Sequence, residues 1–547
     1  MNLSDKKKHY KAEIEKIASS VYNGEQKQLA CYILDNANAD NIDSIYTFIT
    51  QRVKLGFTFD AAPEVNHNCI SLVRHNPKLT FGNIGGEHKL IIGENYDALK
   101  NLLVTYTKDG KGLIDVIYID PPYNTEAAKG EGNNYKDDVE AKKFIYRDKF
   151  TRNGWLNMMR ERLVMARKLL SDTGVIFVSI DDTEQAYLKV LMDEIFGEDN
   201  FVACCPRKTG AGNAAARADY ELRKPYDFII IHCKNKQKTK FKKKEIGVKE
   251  YKYNDEFGKY LLAPFQATGS DATRQNRPNL YYPIYVDDSG NMSLEPQKVN
   301  TKTILPKQIK GEDGRWMWQK EKFIKDKQKL YFDGEKILRK VYFNEEDDQT
   351  IYQVEQAYFD DSKYRNAVGT KELQEIIQNN KFNNPKPVDL IKHILKISSG
   401  NNAIILDFFA GSGTTGQAVM ELNAEDGGNR KCILVTNNEN NIATDITYER
   451  LYRLVNGKGT KGEKFPWTYK PEQPYLTNNR WEVFELEQAE LKIDDFDKAK
   501  ELLAIAEKEF KLLNPNYDMK GLDIYNQLAS LNPYKATDTD KKNDKCN

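Results

Sequence analysis

A chain of 547 residues is too long for one simple core, so about two to four domains or subdomains are expected. Charged residues make up 30% of it, but 82 Lys and Arg against 81 Asp and Glu leave a net charge of +1, so any nucleic-acid contact must come from local patches. Seven cysteines without paired C-x-x-C spacing, and only six histidines, argue against a metal centre.

The opening MNLSDKKKHY has no apolar leader run, and no later stretch reaches the roughly 18 apolar residues of a membrane span. A reduced, cytoplasmic protein is expected. Residues 1–80 read as a polar, mostly helical region. Leu90-Ile91-Ile92 is a short strand that ends in Gly93-Glu94-Asn95 and leads into the helical DALKNLL. Then comes LIDVIYIDPPYNT. A β-branched run, as expected of a strand buried on both faces of a parallel sheet, stops in an acid, two prolines and an aromatic ring. Pro121 and Pro122 cannot continue the ladder, so the chain leaves the sheet at its carboxyl end, where open α/β sheets bind ligands. Asp120 and Tyr123 sit on that stiff turn.

Residues 126–150 are polar and rich in Gly and Asn, which predicts a mobile loop. Trp155–Leu170 has helical spacing, GVIFVSI (174–180) is another buried strand, and Asp181 and Asp182 read as caps of the following helix. Phe228–His232 is one more strand. This alternation predicts an α/β domain with a largely parallel sheet. From 234 to 380 the rhythm is lost, so a separate or inserted domain is expected. Its lysine run at 234–244 reads more naturally as a solvated loop than as a phosphate track. Past 457 the chain reads as a linker and helical patterns such as DKAKELLAIAEKEF, with a lysine-rich, disordered end.

The βα rhythm returns at Pro387 with VDLIKHILKI and then IILDFFAGSGTT (404–415). A buried strand ends at Asp407. The turn Phe408, Phe409, Ala410, Gly411, Ser412 and Gly413 follows, and Thr414 opens a helix. Glycine allows positive φ and close backbone approach, so a ligand can lie against the turn and the helix N-terminus. The pattern is not a Walker loop, and it lacks the third glycine of the dinucleotide fingerprint. The next strand, KCILVTNNEN, ends near Glu439, where a carboxylate would grip a ribose diol.

Together, Asp120-Pro121-Pro122-Tyr123 and the FxGxG pattern of Phe409–Gly413 resemble the amino-group DNA methyltransferases that use S-adenosylmethionine. The catalytic motif comes first and the cofactor motif late, which resembles the permuted β group and, within it, the modification subunits of type III restriction-modification systems. NTEAAKGEGNNYKD, IDDTE, DEIFGEDNF, RPNLYYPIYV, GRWMWQKEK, GTKELQEI and NPKPVDLI extend the likeness from about Leu90 to Leu454. The resemblance implies a Rossmann-like S-adenosylmethionine-dependent fold with permuted motif order. Its two halves would be residues 81–233 (catalytic) and 381–457 (cofactor-binding), flanking a target recognition domain at 234–380, with helical extensions at 1–80 and 458–547.

It implies N6-adenine methylation of double-stranded DNA, a homodimer and a separate restriction subunit. Asp120 would accept one N–H of the exocyclic amine and the Pro121 carbonyl the other, while Tyr123 stacks on the flipped base. The glycine turn would pass the methionine part of the cofactor, Glu439 the ribose, and Lys386, ahead of Pro387, the methionine end. Glu94 stands where many relatives carry Asp, one methylene longer. No Pro-Cys pair is present, and Cys205-Pro206 has the reverse order, which argues against cytosine C5 chemistry. Arg277, Tyr281, Tyr282, Trp316 and Trp318 are candidates for base reading, although aromatics at such spacing are usually core. Three rivals stand beside this reading. They are N4-cytosine methylation, for which SPPY is commoner, a solitary methyltransferase, and a DNA-binding specificity protein with a decayed site.

Overall fold

The computed structural model describes residues 3–16, 24–50, 65–83, 86–123, 152–210, 222, 224–296, 301–347, 349–378, 380, 382–490, 496–520, 524 and 527–531. The predicted loop at 126–150 and the lysine-rich end beyond 531 lie outside them.

Ten strands of one mixed sheet carry the architecture. They are β1 (Val65–His75), β2 (Gly86–Ile92), β3 (Ile114–Ile119), β4 (Leu170–Ile180), β5 (Phe201–Lys208), β6 (Tyr226–Cys233), β7 (Ile404–Asp407), β8 (Lys431–Thr436), β9 (Asn479–Glu490) and β10 (Ala529–Leu531). Their spatial order is β10-β1-β9-β2-β8-β7-β3-β4-β6-β5, and Phe81–Gly82 pairs as a short extra strand with β9. From β9 to β4 all neighbours run parallel. Antiparallel β6 and β5 close one end, and antiparallel β1 and β10 close the other.

The apolar runs are continuous because both faces of the sheet are covered. Alternate residues of β3 divide between two cores. Ile117 and Ile119 face a cluster with the helices α4 (Asn95–Thr105), α5 (Arg152–Leu169) and α6 (Gln185–Phe196). Val116 and Tyr118 face the opposite cluster. There they meet α7 (Asn366–Ile376), α8 (Val388–Ser398), α9 (Thr414–Asp426) and α10 (Glu449–Asn456). The Asp115 carboxylate accepts the Ile404 N–H (2.9 Å) and the Ser171 hydroxyl (3.4 Å), which ties β3 to β7 and β4. The chain passes from β7 through α9 to β8 on one side, and from β3 through α5 to β4 on the other. The carboxyl ends of β7 and β3 therefore flank the point where the winding reverses, which is where an open α/β sheet forms its ligand crevice.

The expectation of a helical region over 1–80 holds for α1 (Leu3–Glu15), α2 (Gly24–Asp35) and α3 (Ile42–Thr50), which share a small core of their own. It fails at β1. The polar residues of VNHNCISLVRH disguise a strand whose Ile70, Leu72 and Val73 are all buried. The helical reading of the C-terminal region is corrected in the same way. A helix is present there, α11 (Phe496–Leu513), but NRWEVFELEQAE forms β9 in the middle of the sheet. Its glutamates suit a helix, yet several find guanidinium, imidazole or amide partners on the β1 side. Arg74 pairs with Glu487, His75 with Glu482 and Asn76 with Glu485. Tertiary pairing overrides local preference here. A chain truncated after residue 457 would expose the edge of β2, so it is expected to be insoluble on expression. Recovery in the soluble fraction with an unaltered melting temperature would refute this placement.

The middle segment leaves through Lys244–Val248, which pairs antiparallel with the returning Thr350–Gln353. Between them lie a four-stranded and a three-stranded sheet around Phe265, Tyr282, Ile284, Trp316, Phe323 and Ile337. Tyr282 and Trp316 are thus core. The tyrosine donates to the Trp318 carbonyl (2.7 Å) and the indole to the Tyr282 carbonyl (2.9 Å). Arg277 pairs with Asp271, and Tyr281 lies under Arg274. Within the lysine run, Lys236 donates to the Phe201 carbonyl and Lys238 pairs with Asp172, so this part docks onto the main body. The Leu373 and Ile376 side chains of α7 bury in the main core, not in the insert's.

Candidate active site

The apolar run of β3 ends at Ile119, and the two prolines turn the chain out of the sheet with Asp120 at its edge. The Pro122 carbonyl accepts the buried Trp155 indole N–H (2.7 Å), fastening the turn to the first turn of α5. The Tyr123 hydroxyl donates to Asp120 Oδ1 (2.9 Å), and Asp227 Oδ2 lies 3.4 Å from it. Lys386 Nζ lies 2.6 and 2.7 Å from the two Asp120 oxygens, 2.7 Å from the Tyr123 hydroxyl and 4.9 Å from the centre of its ring. Burial, with the charges of Asp120 and Asp227, pushes the Tyr123 phenol well above its usual 10, so it keeps its proton. The resemblance put Lys386 at the cofactor's methionine end; here its ammonium rests on the Asp120 carboxylate.

Lys386 is carried by the segment just before α8, whose backbone passes directly over Gly369 of α7. A Cβ on Gly369 would fall 2.3 Å from the Pro385 carbonyl oxygen and 2.9 Å from the Lys386 carbonyl carbon. Asp227 is itself held by Arg207, through Nε to Oδ1 (2.7 Å) and a second guanidinium nitrogen to Oδ2.

Across the crevice, β7 ends at the buried Asp407, which accepts the Thr415 hydroxyl (2.6 Å) and the Phe409 N–H (3.0 Å). Gly411 (φ 49°) and Gly413 (φ 76°) take left-handed backbone, and a Cβ on them would meet Phe382 at 3.1 Å and Thr447 at 3.2 Å. The turn is thus a narrow backbone cradle. It is braced from below by Arg450, which donates to Thr414 Oγ1 (2.9 Å), Gln417 Oε1 (2.8 Å) and both Ser412 oxygens (3.2 Å). The Ala410 N–H reaches the Val435 carbonyl (3.1 Å), which locks the turn to β8. Such a turn at a helix N-terminus fits a nucleoside-bearing ligand lying against main chain. Glu439 stands in a 3₁₀ turn just beyond β8, half-buried, its N–H on Asn437 Oδ1 (3.4 Å). Glu94 caps α4 by accepting the Tyr96 N–H (3.4 Å), and its carboxylate also pairs with Arg162. The same arginine grips Asn95, whose amide donates to the Phe408 carbonyl (2.9 Å). Glu94 therefore shapes the turn through these neighbours.

Burial raises the Asp407 carboxyl from its ordinary 3.8 to about 7. A carboxyl raised on folding gives stability that is fully present below about 4 and lost as pH rises through about 7. Asp407→Asn, neutral throughout, should therefore raise the melting temperature more at pH 8 than at pH 5. An equal change at both values would show that its ionisation does not bear on folding.

Residues 114–445 match the family model of the N6/N4 methyltransferases, described as DNA methylase. That span holds both motifs and the insert between them. The chain belongs to this family of DNA methylases. A second model, of an uncharacterised conserved protein, matches residues 7–111. The type II methyltransferase M.KpnI of Klebsiella pneumoniae is 34% identical over 67% of this chain and 84% of its own length. The type III StyLTI Mod subunit of Salmonella typhimurium is 31% identical over 73% of this chain, and the EcoP15I Mod subunit of Escherichia coli 28% over 70%. This methylase spans 59% and 65% of those two relatives. Among solved structures, M1.HpyAVI aligns over 66% of this chain and 98% of its own at 13% identity, with a TM-score of 0.30. The methyl donor of this DNA methylase family is S-adenosylmethionine. No helix among the described residues is long and apolar enough to cross a membrane.

Sequence reasoning missed Arg207, Asp227, Arg162, Trp155 and Gly369. An acid opening the apolar strand YDFIIIHC was the one local signal for Asp227.

Proposed function

We propose that this methylase modifies N6 of adenine in duplex DNA as the modification and specificity subunit of a type III restriction-modification system. The carrying observation is the Asp120 carboxylate held by Lys386 and Tyr123 on the Pro-Pro turn, across the winding reversal from the glycine cradle. Bound S-adenosylmethionine supplies an electrophilic methyl group. Gly411 and Gly413 would give the cofactor backbone to lie against and Glu439 would hold its ribose, with Lys386 standing between the two motifs. Asp120 accepts one N–H of the target amine and the Pro121 carbonyl the other, which favours a pyramidal nitrogen and stabilises the positive charge it gains. The Tyr123 ring stacks on the base, which leaves the duplex to reach the crevice. Placement of both reactants at adjacent strand ends supplies much of the rate.

The same geometry would serve N4 of cytosine, and aspartate at position 120 favours adenine. The family's cofactor and catalytic elements would lie here in permuted order, the catalytic motif first. The segment between 234 and 380, built on the paired ribbon at 244–248 and 350–353, would be the target recognition domain, reading base edges in the major groove. The Mod subunits among its relatives support the type III assignment, with a homodimer and a separate restriction subunit as partners. The 34% identity to M.KpnI supports a type II-like enzyme as the second reading.

Expression in a methylation-free bacterial host, with modified bases mapped by long-read sequencing, tests this. N6-methyladenine on one strand of a short asymmetric site is the expected result. A palindromic site modified on both strands would favour the type II-like reading, and N4-methylcytosine would overturn the adenine assignment.

A further inference from the structure

The hydrogen bonds around Asp120 load its two oxygens unequally: Oδ2 receives the Lys386 ammonium alone (2.7 Å) and keeps a lone pair, whereas Oδ1 is full. Oδ1 receives both the Lys386 ammonium (2.6 Å) and the Tyr123 hydroxyl (2.9 Å), which fills its two lone pairs. A substrate amine cannot be accepted there until one of them leaves. The phenol has a single proton to donate, and its own oxygen already receives Lys386 (2.7 Å). A second carboxylate lies within reach of that proton, since Asp227 Oδ2 is 3.4 Å from the Tyr123 hydroxyl. Asp227 is 4% exposed and Arg207 0%, so this is a fully desolvated ion pair. Such a pair is a weak source of net stability, so stability alone does not account for its place beside Tyr123. Arg207 also donates to the Tyr364 carbonyl (2.7 Å) and to Asn366 Oδ1 (2.9 Å), which fixes the pair against the segment where the insert returns to the main body.

We propose that Asp227, held by Arg207, is the alternate acceptor for the Tyr123 hydroxyl, and that passing this hydrogen bond from Asp120 to Asp227 frees Asp120 Oδ1 for the target amine. Asp227 is thus a positioning residue that acts through Tyr123. The inference rests on the reading of Asp120 as the acceptor of the substrate amine. No proton is transferred: the phenol keeps its own and changes partner by a small rotation.

The test is transfer of tritiated methyl from S-adenosylmethionine to chromosomal DNA of a methylation-free host, by wild type, Asp227→Asn, Tyr123→Phe and the double variant. In Asp227→Asn the donor-only guanidinium takes the amide oxygen and leaves an N–H₂ facing the phenol, so the alternate acceptor is lost. Hydrogen bonds to charged groups set the expected slowing of kcat at about 10- to 100-fold, with the KM for DNA and the cofactor Kd unchanged. Tyr123→Phe removes the hydroxyl that obstructs Asp120, so the double variant should match Tyr123→Phe alone and outpace Asp227→Asn. Slowing by the same factor in both backgrounds, or a change confined to KM, would overturn the proposal. If Asp227→Asn fails to fold around its unpaired arginine, Asn366→Ala leaves the ion pair intact and loosens Arg207. It should slow kcat several-fold with Tyr123 present and not with Phe at that position, and a slowing independent of Tyr123 would overturn the proposal. Asp120→Ala separates the two levels: activity surviving in it sinks the reading of Asp120, whereas a dead Asp120→Ala with additive Asp227 and Tyr123 effects sinks only this inference.

Discussion

Asp120→Asn is expected to lower single-turnover methyl transfer on the order of a thousandfold, the size of effect seen when one preorganised group facing a developing charge is removed. The substitution keeps the shape of the side chain, so Lys386 and the Tyr123 hydroxyl retain an oxygen to approach. It removes the negative charge and one of the two acceptor oxygens, so Lys386 and the Tyr123 hydroxyl fill the oxygen that remains and the substrate amine is left without an acceptor. Cofactor binding should not change, because the cradle belongs to β7 and is braced by Arg450, Thr447 and Asn95, none of which touches Asp120 among the contacts that hold the turn. Quenched single-turnover rates and calorimetric cofactor titration check both halves. A parallel loss of cofactor affinity would move Asp120 from the chemistry to binding.

The two motifs were legible in the sequence because each compresses a buried strand, a chain-breaking turn and its polar groups into about ten residues. Asp120, Tyr123, Asp407 and the glycine turn could be named from local pattern alone, and the strand ends come together as the parallel sheet requires. What local pattern does not carry is pairing at a distance. Lys386 and Asp120 are 266 residues apart in the chain, and Arg207 meets Asn366 across 159, so no spacing rule joins them. β1 and β9 were hidden for a related reason. Their polar residues are satisfied by each other across 413 residues in the case of Arg74 and Glu487, and either segment read alone resembles a solvated helix. Glu94 is legible as part of a recognisable motif, whereas its cap on the Tyr96 N–H and its pairing with Arg162, 68 residues away, are not.

Gly369→Ala sets two physical effects against each other with opposite signs. Gly369 lies inside α7, where alanine is the better helix former by about 1 kcal/mol, so propensity alone predicts a more stable protein. Packing predicts the contrary. The added methyl would sit 2.3 Å from the Pro385 carbonyl oxygen and 2.9 Å from Lys386 and Pro387 backbone atoms, about 1 Å inside ordinary contact. Those atoms are main chain and cannot swing aside as a side chain would. Overpacking of this kind costs roughly 1–3 kcal/mol, which outweighs the gain in propensity, so the melting temperature should fall. The displaced segment is the one that carries Lys386 onto Asp120. A misplacement of about 1 Å at a catalytic group costs on the order of 100-fold, so kcat should fall far more than the stability loss at assay temperature explains. Gly400→Ala is the matched control. A Cβ there meets nothing within 4 Å, so its melting temperature should hold or rise and its kcat should stay at the wild-type value. If Gly369→Ala is instead more stable and fully active, then α7 does not press on the Lys386 segment. The ammonium would then owe its position on Asp120 to α8 alone.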